Sequence, residues 1–326
     1  MKRFLLFFLK AAVSLGLLAF FFSRIDFFHF LRSLSSVRLS YVAIALAVYL
    51  VGQLISSLRW ALLARTLEFQ NPWKDFAVYY FIGMFFSLFT PSTVGGDLGR
   101  IFYLSRDGAK DKEGDRAGSM AFATISVLAD RAVGMAVLVW IGAVAVAVFP
   151  GYSLPPAIRY LTFAIALGLL LGFVSLPLFS RLLKNIESPV GKNVRLALKA
   201  YRDRWPVIVQ TMLLSLIVHI LQSWMQVLIG RALEAEIPWS YALIIYPLVG
   251  TFSALPVSLN GIGLREGGYL FLLLRIGVSS EKAIAFSLLW FMVIALDSLI
   301  GALVFILKKK AAPSALVSEA EDYVRK

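Results

Sequence analysis

The chain has no cysteine and only two histidines, His29 and His219. Disulfides, zinc–thiolate sites and thiol nucleophiles are therefore excluded, and so is a histidine-rich metal centre. Charge is also scarce, at 16% of residues, where a soluble domain carries about 25%. No Gly-x-Ser-x-Gly elbow, P-loop or metal-ligand cluster occurs, so no enzyme motif stands out, no metal site is drawn and no cofactor is expected. What abounds is apolar: 60% of residues are hydrophobic and 14% aromatic, with a mean hydropathy of +0.81. These bounds describe a polytopic membrane protein. Its formal net charge of +13 reads as cytoplasmic loops held against anionic lipid rather than as a nucleic-acid surface.

Roughly 20 apolar residues cross a bilayer. The sequence predicts full spans at 4–23, 41–64, 119–149, 157–180, 207–230 and 283–307. The N-terminal run follows Lys2 and Arg3 but lacks a small-x-small cleavage site, so it reads as a retained span. The 119–149 run is too long for one untilted span and is expected to project from the bilayer or to break near Asp130. In the 24–40 segment, the stretch LRSLSSVRL has the pattern of an interfacial amphipathic helix.

Two further apolar stretches, 76–104 and 241–276, are interrupted by one polar pattern that occurs twice. The copies are TPSTVGGDLGR, from Thr90, and LPVSLNGIGLRE, from Leu255. Aligned on Pro91 and Pro256, both have glycine five residues later (Gly96, Gly261) and arginine nine residues later (Arg100, Arg265). Proline and glycine break helices, and a broken helix cannot face lipid with unsatisfied backbone groups. Each stretch is expected to form a re-entrant hairpin lining protein or a wet cavity. The predicted fold is an all-α membrane protein of about six full spans and two re-entrant hairpins. It forms a single transmembrane domain over 1–310, followed by a cytoplasmic tail at 311–326.

Lysine and arginine crowd the 181–205 loop, and Lys308, Lys309 and Lys310 open the tail. The positive-inside rule puts these on the cytoplasmic side, with both termini. The unit at about 41–149 then runs opposite in orientation to the unit at about 207–307, an inverted-topology repeat of the kind found in transporters. Each unit opens on a helix with one polar face: Tyr49, Gln53 and Ser56 in the first, Ser215, His219, Gln222 and Gln226 in the second.

The candidate binding residues are Asp97, Arg100, Asp130, Arg131, Arg265, Glu266 and Asp297. Asp97 and Arg100 stand at i, i+3 and can pair, or jointly hold a phosphate or zwitterion. The planar fork of Arg265 suits a phosphate, or else it snorkels to the interface. Pro91, Gly95, Gly96, Pro256, Asn260, Gly261 and Gly263 supply the breaks and allow close backbone approach. Asp297 lies about 15 Å deep, ten residues before Lys308. It is read as a proton carrier, as the partner of Arg265 or Arg100, or as a packing hydrogen bond. Asp130, Arg131 and Arg59 read as near-interfacial, and His219 as a packing histidine.

The residues Arg59–Trp60, TPSTVGGDLGRIFYL at 90–104, ADRAVG at 129–134 and LNGIGLREGG at 259–268 resemble the lysylphosphatidylglycerol synthase transmembrane family, the flippase-like membrane proteins. The resemblance covers essentially the whole chain. In the multiple peptide resistance factor a similar region moves an aminoacylated phospholipid between leaflets, beside a synthase domain. The resemblance thus implies a lipid translocase of the bacterial inner membrane without the synthase part. Its substrate would be a phosphate-bearing or aminoacylated lipid. Two alternatives are a membrane-embedded transferase using Asp97 and Glu266, and a non-catalytic partner of a separate lipid-modifying enzyme.

Overall fold

The computed structural model describes residues 12, 16, 19–20, 23, 26–89, 94–108, 116–182, 188–254, 258 and 261–311. Among these, every regular element is helical. The predicted 4–23 span and the 311–326 tail fall largely outside the described residues.

A short helix, α1 (Phe27–Ser35), opens the described chain, with Asp26 as its N-cap. The Asp26 carboxylate accepts the N–H groups of Phe28 at 2.8 Å and His29 at 3.1 Å, satisfying donors with no helical partner. This helix begins four residues before the predicted amphipathic stretch and ends inside it. Next come α2 (Leu39–Thr66), α3 (Trp73–Phe89), α4 (Val94–Gly108) and α5 (Arg116–Val148). Helices α6 (Pro156–Leu182) and α7 (Pro189–Asp203) connect these to α8 (Trp205–Ala232), α9 (Trp239–Ser253), α10 (Leu264–Leu273) and α11 (Ser280–Ala311). Five helices are long and apolar enough to cross a membrane: α2, α5, α6, α8 and α11. They match five of the six predicted full spans, and the protein is multi-pass.

Of the two forms expected of the 119–149 run, the break is absent, and one other predicted feature, the 181–205 loop, differs. Helix α5 runs unbroken through Asp130 for 33 residues, roughly 50 Å. Neither Pro nor Gly stands beside Asp130 to interrupt it, and both carboxylate oxygens are bound by other helices. The basic 181–205 region is largely helical: α7 has Pro189 in its first turn and is capped by Ser188, whose hydroxyl accepts the Gly191 N–H at 3.1 Å.

Helices α2 and α8 lie antiparallel along their full length. The Arg38 N–H, just before α2, reaches the Ala232 carbonyl at the end of α8 at 2.9 Å. Farther along, Gly52 faces Gln222, and Arg59 donates to Ser215 at 2.9 Å.

The two helices end alike. Arg-x-Leu-Glu-x-x-x-Pro-Trp occurs at 65–73 and again at 231–239. Glu68 (φ 71°) and Glu234 (φ 53°) take left-handed conformations. Phe69 N–H bonds back to Ala64, and Ala235 N–H to Gly230. A left-handed residue with a bond reaching five residues back closes a helix C-terminus by capping its free carbonyls. The lengths also match: 28 residues each in α2 and α8, 33 and 32 in α5 and α11.

Packing repeats the correspondence. Helix α3 lies on α11 and α9 on α5, while α4 packs on α5 and α10 on α11. Each broken pair returns to where it started. Gly108, ending α4, lies against Phe69 before α3. The Tyr241 hydroxyl near the start of α9 donates to the Leu272 carbonyl near the end of α10 at 2.6 Å. One apolar cluster surrounds Trp60, Phe76, Tyr79 and Leu104; a larger one surrounds Met225, Tyr241, Tyr269 and Phe286. Helix α6 sits at the periphery and exposes Leu167, Leu170, Leu171 and Val174. Apolar side chains so placed are at ease in lipid tails.

Candidate functional site

The polar faces of α2 and α8 meet across their antiparallel interface. Tyr49, Gln53, Ser56 and Arg59 come from one side, and Val218, His219 and Gln222 from the other. They border a cavity of about 290 Å³, lined also by Tyr80, Tyr246, Trp290 and residues of α4 and α5. Tyr49 to Arg59 is ten residues of helix, so this polar wall extends ~15 Å along α2.

Asp130 organises the charged end. Its Oδ1 accepts from Arg59 Nε and its Oδ2 from an Arg100 Nη, each at 2.8 Å. Asp130 is 1% exposed, Arg59 6% and Arg100 6%, so this is a buried charge cluster. Arg100 is also 3.7 Å from Asp97, which pairs closely with Arg131. The Arg100 guanidinium stacks over the rings of Trp60 at 4.2 Å and Tyr80 at 4.7 Å. The Trp60 indole N–H is held by Ser126 at 3.1 Å. Gly134 leaves room for the Arg59 guanidinium, which lies 3.1 Å from where a Cβ would stand.

The formal charge of this cluster is three arginines less two aspartates, or +1. Arg59, Arg100 and Asp130 are removed from water and so interact strongly, while the Arg131 side chain is 43% exposed. The Arg100 Nε is buried without a hydrogen-bond partner. Among the described residues no group of three histidine, aspartate or glutamate side chains could hold a metal ion. The arrangement suits phosphate, which arginine forks bind bidentately.

Of the residues predicted from sequence, the structure brings Asp97, Arg100, Asp130 and Arg131 into one cluster. Arg265 and Glu266 stand outside this cavity. Arg265 donates to Glu266 at 2.6 and 3.0 Å and lies over the Phe291 ring at 4.8 Å. Glu266 is 2% exposed and also accepts from Gly263 N–H at 2.6 Å and from Ser287 at 3.3 Å. Neither Asp97 nor Glu266 lines this cavity. Asp297 is buried and makes no ion pair with Arg265 or Arg100, both held by other carboxylates; its Oδ2 has no hydrogen-bond partner.

Gly96 sits on α4 against Gly83 and Ser87 of α3, and Gly261 (φ 76°) sits against Ser253 of α9. Gly95 lies in the first turn of α4, and Gly263 (φ 86°) immediately precedes α10. Pro91, Pro256 and Asn260 lie outside the described residues.

Arg59 and Asp130 are buried within the bundle and paired with each other, not spread on its surface. An arginine beside a tryptophan resembles an interface anchor in sequence, yet here a carboxylate from another helix fixes it inside the bundle. Ser56 and Arg59 are i, i+3, so the polar face of α2 extends one step beyond the stripe read from sequence. His219 bonds the Gly134 carbonyl at 2.9 Å and the Tyr246 hydroxyl at 3.2 Å while bordering the cavity. It is thus both satisfied and part of the wall. Tyr80, Tyr246 and Trp290 were not among the sequence candidates. Tyr80 and Tyr246 do carry a signal, the same 166-residue offset as Glu68 and Glu234.

No curated protein matches the chain in sequence. Residues 7–301 match the family described as the lysylphosphatidylglycerol synthase TM region. With that match over most of its length, and a multi-pass helical bundle built around a buried arginine cluster, the chain belongs to the lysylphosphatidylglycerol synthase transmembrane family.

Proposed function

We propose that the protein translocates a lipid with a phosphate-bearing headgroup between the leaflets of the bacterial inner membrane. Membership of a membrane-lipid family supports a lipid-related role. The observation that carries the finer reading is the cluster of two buried arginines, Arg59 and Arg100, with the partly exposed Arg131 beside them. Counting Arg131, it retains one formal positive charge after Asp97 and Asp130, and it stands at the end of a polar cavity inside a membrane bundle. Crossing hydrocarbon exposes a headgroup phosphate to a severe desolvation penalty. A cavity lined by guanidinium, amide and hydroxyl groups replaces the lost water while the acyl chains remain in lipid.

Matched caps, matched helix lengths and reciprocal packing support an inverted-topology repeat, α2–α5 against α8–α11. The return of each broken pair to its starting end supports two re-entrant hairpins. Arg65, Arg106, Lys308 and the basic helix α7 support a cytoplasmic location for the end of the bundle where α2 finishes. The opposite end, with Glu234 and Lys282, then faces outward. Two half-bundles of opposite orientation can open the cavity to either side by rocking against one another.

The test is lipid movement in proteoliposomes, read as the loss of fluorescence of a labelled anionic lipid to a membrane-impermeant quencher. The expected result is faster exchange than in protein-free vesicles. Arg100→Lys should reduce it by about tenfold, because a point charge replaces a stacked, two-pronged contact. No acceleration by the wild-type protein would reject the proposal.

A further inference from the structure

Arg131 belongs both to the cavity wall and to the outside of the bundle. It borders the cavity, yet its side chain is 43% exposed. Leu128, at 57%, and Ala132 are exposed too, and neither borders the cavity. The three share one face of α5, at i, i+3 and i+4. Arg131 therefore reaches the outer surface among apolar neighbours.

Its depth makes that position costly. Arg131 is thirteen residues past Gly118 and seventeen before Val148, the bounds of the apolar span in α5. It thus lies about 20 Å from one end and about 25 Å from the other. A charge facing lipid tails near the middle of a span is expensive, and such residues line polar or wet spaces. An arginine exposed there marks a gap in the apolar wall.

The gap lies on the seam between α4 and α5. These helices run antiparallel: the Ser119 hydroxyl donates to the Ser105 carbonyl at 3.1 Å, and Arg100 reaches Asp130 farther along. Asp97 of α4 pairs with Arg131 across the seam. One residue on, Leu98 is 59% exposed, and Phe102, at i+4 on the same face, is exposed as well; neither borders the cavity. An ion pair that touches the cavity is therefore flanked outside by apolar side chains of both helices. The seam between α10 and α11 differs, since its contact of Glu266 with Ser287, at 3.3 Å, is buried.

We infer that the α4–α5 seam is the side entrance of the cavity. A phospholipid passes its headgroup over the Asp97–Arg131 pair while its acyl chains stay outside, on Leu98, Phe102 and Leu128. Arg131 gives the entering phosphate a charge-assisted contact, and the buried Arg100 receives it inside. This rests on the translocation reading and names the lipid's route into the site.

The test uses the purified full chain in phosphatidylglycerol vesicles, with a fluorophore on Leu128→Cys or on Leu167→Cys. Leu167 is similarly exposed and lies midway along the apolar span of α6. The quencher is a phospholipid whose phosphate is esterified to a nitroxide alcohol. It should quench the Leu128 site at least about threefold more than the Leu167 site, because headgroups in plain bilayer stay about 15 Å from the midplane. A bulky maleimide on Leu128→Cys should slow lipid exchange by about tenfold, and on Leu167→Cys by less than about twofold, the barrier being steric. Equal quenching at the two positions would overturn the entrance, as would exchange unaffected by the label on Leu128→Cys; both leave translocation standing. Selective quenching at Leu128→Cys with no exchange by the wild type would keep the entrance and overturn translocation.

Discussion

Asp130 joins Arg59 of α2 to Arg100 of α4, one carboxylate oxygen to each, at 2.8 Å. A single side chain of α5 thus holds α2 to α4. Removing it leaves buried arginines without their shared counter-ion. Asp130→Asn should destabilise the protein by about 3–5 kcal/mol, the scale for breaking a buried ion pair. Arg59→Gln in the same chain should restore part of that loss, through a coupling of about 0.5–3 kcal/mol. Thermal melting of the four proteins in detergent checks this. Additive losses would remove the Asp130–Arg59 pair from the account.

Close helix approach gives a second prediction. A Cβ on Gly96 would strike Gly83 and Ser87, and one on Gly301 would strike the Phe81 carbonyl. Both neighbours include backbone, which cannot rotate away. Gly96→Ala and Gly301→Ala should each lower the melting temperature, with losses on the order of 1–3 kcal/mol for overpacking. Gly168→Ala and Gly172→Ala meet nothing within 4 Å. They should be neutral or stabilising by up to about 1 kcal/mol, from helix propensity. A reversal of that order would contradict the packing of α3 on α4 and α11.

Orientation is checked by single-cysteine labelling, clean because the chain has no native cysteine. Arg202→Cys on α7 and Glu234→Cys after α8 replace exposed side chains. They should react with an impermeant maleimide from opposite sides of the membrane. Labelling from the same side would end the inverted repeat.

Asp297 gives a prediction about energy coupling. It lies in α11 without an ion-pair partner, so Asp297→Asn breaks no salt bridge among the described residues. The melting temperature should change by less than about 2 °C, within the range of a few tenths of a kcal/mol. If Asp297 carries a proton, lipid movement in the variant should no longer respond to an imposed pH gradient. A wild-type response to the gradient would exclude that role.

Much of this architecture was legible in the sequence, for physical reasons. Span length follows from bilayer thickness, so the five long helices were found almost to their ends. The twin Pro/Gly breaks were visible because backbone in lipid tolerates few alternatives. The polar stripes on α2 and α8 were visible because helical periodicity brings Gln53 near Ser56 and His219 near Gln222. What was hidden depends on contacts between helices. Arg59 looked interfacial because its counter-ion is 71 residues away. Arg265 and Arg100 looked equivalent from motif spacing, yet Glu266, the next residue, holds one while Asp130 of another helix and Asp97 hold the other. The Arg-x-Leu-Glu-x-x-x-Pro-Trp repeat was in plain view, but its meaning rests on the left-handed caps at Glu68 and Glu234.

The most direct measurement of the central claim is the exchange of a labelled phosphatidylglycerol between leaflets of vesicles containing the purified wild-type protein, beside the Arg100→Lys variant at matched reconstitution. The account predicts rapid exchange with the wild type and a fall of about tenfold in the variant. Wild-type exchange no faster than that of empty vesicles, or equal exchange by the two proteins, would contradict it.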